Sequence, residues 1–158
     1  YLRLEPINLE LLFTEPILSE IVIIKNSEGL AFLPDYDYNG IGELEDGKGY
    51  QIKMDASTTL NYPALGGARY GDIYVERPVH FEKPVNTGNN MIIGFPLESW
   101  KSTPSIGDEL AAYDEEGKLI GSSTFQGNHI ALSIWGDDLT TNKKGIILII
   151  SSILLRYC

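Results

Sequence analysis

The alternation of apolar and polar residues along this chain predicts short strands joined by tight turns. "IVIIKNSEGLAFL" reads as an apolar strand over Ile21–Lys25, a turn at 26–29 and a returning strand from Leu30 to Leu33. "GYQIKM" predicts a strand from Tyr50 to Met54, and "TTLNYP" a shorter one near 59–62. Further on, strands are predicted near Ile73 to Glu76, near His80, and from Met91 to Phe95. A hairpin follows from Glu109 to Thr124 around a turn at 114–117, and then a strand from Ile130 to Trp135. Near the start, Leu2 and Leu4, then Ile7, Leu9 and Leu11, stand at alternating positions, and Pro6 and Pro16 break a helix, which predicts extended chain with one helical turn around 16–20 capped at Thr14.

Composition agrees with this pattern. The 16 glycines and eight prolines are spread along 158 residues, and nine tyrosines stand among Ile, Val and Thr, which leaves little room for long helices. Length and breaks together predict an all-β chain in three parts: an extended segment over 1–20, a small β module over 21–80, and a second β module over 81–158 that ends in an apolar strand. The net charge of −10, with no Lys/Arg cluster, argues against nucleic acid and anionic membrane surfaces as partners. The single cysteine, Cys158, permits no disulfide within these residues. A chain that opens on Tyr1 without Met or an apolar signal core reads as processed or partial, which is compatible with export.

"DYDYNGIGELED" raises calcium as candidate chemistry. Asp35, Asp37 and Asn39 stand at alternate positions before Gly40, and Asp46 occupies the twelfth place, the spacing of a helix-loop-helix calcium site with a shortened last ligand. The flanking segments read as β, so the alternative is a turn in which Asp, Asn and Gly serve the backbone. No motif for covalent, metal-dependent or nucleotide chemistry occurs, and enzymatic activity is not expected. His80 and His129 each stand alone, and the neighbouring acids Glu45/Asp46 and Asp137/Asp138 diverge when on strands. Tyr36, Tyr38, Trp100 and Trp135 are candidates for a sugar-stacking platform, against the commoner role of aromatics as sandwich core.

Two sets of residues carry a resemblance. The first is Pro34, Tyr36, Asn39, Ile41, Gly42, Gly47, Gly49 and Tyr50, after an apolar strand and turn. The second is Gly107, Asp108, Glu109, Ala112, Tyr113, Asp114, Gly117, Gly121 and Ser122, then Leu132, Trp135, Gly136, Asp137, Asp138, Thr140 and Thr141. Over about residues 21–62 and 88–145 the chain resembles paired β-modules common in large secreted and cell-surface proteins of environmental bacteria. The resemblance implies an extracellular, immunoglobulin-like β-sandwich scaffold for attachment, binding or assembly. It also implies that the acidic loop is a structural turn, because members need not carry acids at the places of Asp35 and Asp37.

The tail "KKGIILIISSILLRYC" departs from that pattern. Ile146, Ile147, Leu148, Ile149, Ile150, Ile153 and Leu154 make an almost unbroken apolar tract, shorter than the roughly 20 residues a membrane span needs. Apolar on both faces, such a strand requires cover on both. Two greasy ends around a β-body without catalytic residues predict a subunit of an extracellular bacterial filament, a helical homopolymer in which one copy lends Leu2–Phe13 or Ile146–Leu155 to its neighbour's sheet. The alternative is an adhesion module of a larger surface protein, with surface glycans or calcium as its ligand.

Overall fold

A computed structural model of the chain describes residues 6–62, 77–138, 140 and 154–157. The chain divides into two compact units, 1–75 and 76–158, each of antiparallel β-structure with little helix. The all-β reading of the sequence holds for both.

In the first unit, β1 (Ile7–Asn8) leads into a helical turn, α1 (Leu9–Leu12). After it come β2 (Ile21–Asn26), β3 (Ala31–Leu33), β4 (Tyr38–Asn39), β5 (Glu43–Leu44) and β6 (Tyr50–Met54). The main sheet has the order β4-β3-β2-β6, and β1 pairs with β5 through Ile7–Leu44 and Asn8–Glu43. A register shift between Ile21 and Ile23 puts an extra residue into β2, so Ile21 and Ile24 both turn inward despite their odd spacing. They meet Leu9, Leu12, Phe13, Phe32, Ile41 and Leu44 in one core.

The second unit has β7 (Asn90–Phe95), β8 (Glu109–Tyr113), β9 (Leu119–Thr124), β10 (Ile130–Trp135) and β11 (Leu154–Tyr157). β7 pairs with β10, and β8 lies between β11 and β9. Period-two side chains from both ladders, Leu110 and Ala112 from one and Ile130, Leu132 and Ile134 from the other, share a core, giving a sandwich-like stack. The layers approach closely at Gly121, where a Cβ would run into the Ser133 carbonyl oxygen and lie 3.0 Å from the Ile134 Cδ1.

Both long hairpins turn the same way. Asn26 Oδ1 accepts from the Glu28 and Leu30 amides at 3.0 and 2.9 Å, while Asp114 Oδ1 accepts from Glu116 and Lys118 at 3.0 and 2.8 Å. In each, the first residue's N–H donates to the carbonyl four residues on, and a glycine at positive φ, Gly29 or Gly117, completes the turn. Asp114→Ala is therefore expected to cost about 1 kcal/mol in urea denaturation. Asp114→Asn should cost almost nothing, because Asn26 already performs that task in the first unit.

Several expectations change. Leu9–Leu12 is helical where extended chain is predicted, because Asn8 Oδ1 accepts the Glu10 amide at 2.8 Å and caps the turn. The predicted turn near residues 16–20 is a short 3-10 segment, Leu18–Glu20, and Thr14 contributes its carbonyl, not its side chain. Residues 59–62 and the chain around His80 are irregular, not strands. The predicted strand at 73–76 lies outside the described residues.

Candidate functional site

The acidic loop is organised by its own backbone. Pro34–Tyr36 forms a 3-10 turn that ends on Asp37 in the left-handed region at φ 46°. Asn39 brackets Gly42: its Nδ2 donates to the Gly42 carbonyl at 3.1 Å and its Oδ1 accepts the Gly42 amide at 2.8 Å. Asp35, Asp37 and Asp46 are exposed. Among the described residues no three His, Cys, Asp or Glu side chains converge as a metal-binding group.

The four candidate aromatics do not assemble into a platform. Tyr38 and Trp135 are buried core residues of different units, and half-buried Trp100 lies against Phe95 with ring centroids 5.9 Å apart. Tyr36 alone of the four is well exposed, at 50%. His129 is a structural acceptor, its Nδ1 taking the Leu97 amide at 3.0 Å. Asp138 caps a local turn by accepting the Thr140 amide at 2.9 Å and its hydroxyl at 2.6 Å.

Of the assembly residues predicted from the sequence, Ile7 sits in β1, Leu9 is fully buried in α1, and Leu11 faces outward. Leu154 belongs to β11, opposite Tyr113 of β8. Leu2, Leu4, Ile146, Ile147, Leu148, Ile149, Ile150 and Ile153 lie outside the described residues.

The most elaborate polar arrangement is one the motifs did not flag as chemistry. Glu109 heads β8 with only 2% of its surface exposed. Its carboxylate accepts three consecutive backbone amides: Val79 at 2.6 Å, His80 at 3.0 Å to each oxygen, and Phe81 at 3.2 Å. Successive amides turned toward one anion form a concave nest, here filled by the chain's own side chain. Burial works to raise the Glu109 pKa, but the three amides and the nearby His80 together outweigh it, so the carboxyl is held below its ordinary range. The available sign was an acid at the head of the otherwise apolar strand "ELAAY".

Several of the resemblance-bearing residues have structural tasks. Gly107 adopts a φ of 95°, Asp108 Oδ2 accepts the Ser105 amide at 2.8 Å, and Gly136 donates to the Asn89 carbonyl at 2.9 Å. In the first unit Gly42 has a φ of 86°, and the Tyr50 hydroxyl accepts the Glu45 amide at 2.9 Å. No helix among the described residues is long and apolar enough to cross a membrane. No family model, curated protein or solved structure matches this chain.

Proposed function

We propose that the chain is a non-catalytic pair of β-modules within an extracellular bacterial surface protein, serving attachment as a scaffold. The described residues of the N-terminal segment and of β11 carry this reading. From Ile7 on, the N-terminal segment is spent inside its own unit, with Leu9, Leu12 and Phe13 in the core, and β11 ladders with β8. Chain so used is not available for lending to a neighbour. The turn and packing tasks of the motif residues support the same reading.

A second reading, a homopolymer built by strand addition, is favoured by one observation. Strand β6 stands at the rim of its sheet among the described residues, with Ile52 44% exposed between Gln51 and Lys53. Sedimentation velocity over a concentration series separates the two readings. The scaffold reading expects one species near the chain mass of 17.5 kDa. Concentration-dependent polymers that vanish in an Ile52→Lys variant would favour strand addition instead.

A further inference from the structure

The Glu109 nest lies close after the boundary between the units, since the clasped amides belong to residues 79–81 and the second unit begins at 76. The clasp therefore holds the stretch by which the chain enters the sandwich. About eight residues further on, the Asn89 carbonyl accepts both the Thr87 hydroxyl and the Gly136 amide. From 77 to 89 the segment runs largely on the surface; within the clasp, Val79 is 84% exposed and Phe81 is set edge-on against Tyr113 at 6.4 Å.

We propose that the Glu109 carboxylate is a releasable anchor: ionised, it fastens residues 79–81 to the head of β8, and protonated or removed, it lets that segment detach while the sandwich stays folded. Local release follows from where the hydrogen bonds go. The amides lie on a surface segment, so water replaces the carboxylate once they leave. The core of Leu110, Ile120, Leu132 and Ile134 includes no residue of the segment. Cooperative units of this kind open separately when few buried apolar contacts tie them to the rest.

The surroundings define the titration. His80, on the clasped segment, acts on the carboxylate by charge, and Arg77, Glu82 and Lys83 lie on the same stretch. Asp108 precedes Glu109 and lines a small cavity of about 10 Å³ with it, beside Trp100, Phe125 and Ile130. From β9 the facing residue is Thr124. On the other side of β8, β11 pairs Tyr157 with Leu110 and Arg156 with Ala111. With its folded-state pKa below that of an unfolded glutamate, about 4.3, the clasp is at full strength above that value and is lost as pH falls through the lower folded one.

The test is an amide-resolved NMR titration of the full chain from neutral to acid pH, joined to limited chymotrypsin digestion at pH 7. The Val79, His80 and Phe81 amides should shift with one shared midpoint below the ordinary glutamate value, while those of Leu132 and Ile134 stay in place. Glu109→Gln should speed cleavage after Phe81 at least tenfold, again with the β10 resonances kept. Three results would overturn the anchor: amides 79–81 that do not titrate together, β10 amides that move with the same midpoint, or a Glu109→Gln variant that is cut at the wild-type rate or loses its β10 signals.

Discussion

Replacing Leu9 by alanine is expected to cost the first unit about 3 kcal/mol, the range for emptying a fully buried leucine site. Leu11→Ala should change stability by less than about 0.5 kcal/mol, because that side chain is 37% exposed on the outer side of the helical turn. The contrast discriminates between two conformations. In an extended strand, residues 7, 9 and 11 share a face and would matter alike. In α1 the inward set is Leu9 and Leu12, with Phe13 beyond. Amide hydrogen exchange at Ile24 and Phe32, which share that core, reads the loss directly. Equal effects at Leu9 and Leu11 would mean that the segment is extended, as a donated strand would be.

Gly121→Ala is expected to destabilise the second unit by about 3 kcal/mol. The new methyl group would meet the Ser133 carbonyl, part of a backbone held in the β7–β10 ladder, as well as Ile134 Cδ1 at 3.0 Å. Backbone in a ladder cannot rotate away as a side-chain tip does, so the layers must separate or the strands shift. Gly94→Ala is the control, since a Cβ there meets nothing within 4 Å. Both tryptophans, Trp100 and Trp135, lie in this unit, so their fluorescence follows its unfolding in urea. A Gly121→Ala midpoint equal to that of Gly94→Ala would show that the close approach at Gly121 is not a constraint.

The sequence was most legible where alternation and turn chemistry coincided. β6, β8 and β10 have the predicted limits, and β2, β3, β7 and β9 differ from prediction by one residue at one end. Their turns rest on Asn26 and Asp114, whose side chains act within four residues. α1 was hidden because four residues show no helical period, and its cap Asn8 looked like one more polar position. The extra residue in β2 was hidden too, since a run of four apolar residues reads equally well in either phase. Glu109 could not be read as an anchor because its partners lie 28–30 residues upstream in irregular chain. Turn chemistry is local and leaves a mark in sequence, whereas an acid satisfied by distant backbone leaves only its unusual place.

The same distinction accounts for the candidate sites. The calcium-like spacing of Asp35, Asp37 and Asn39 and the scattered aromatics are patterns that turns and cores also produce. Geometry favours those uses: Asn39 serves Gly42, and Tyr38 and Trp135 fill cores.

The most direct test of a scaffold whose N-terminal segment serves its own unit is an isotope-filtered NOE experiment on an equal mixture of labelled and unlabelled chains. Leu9 and Phe32 share one core, so their contact should arise within single chains and give no inter-chain cross-peak. A strong inter-chain Leu9–Phe32 cross-peak would contradict the account and show that copies exchange this segment.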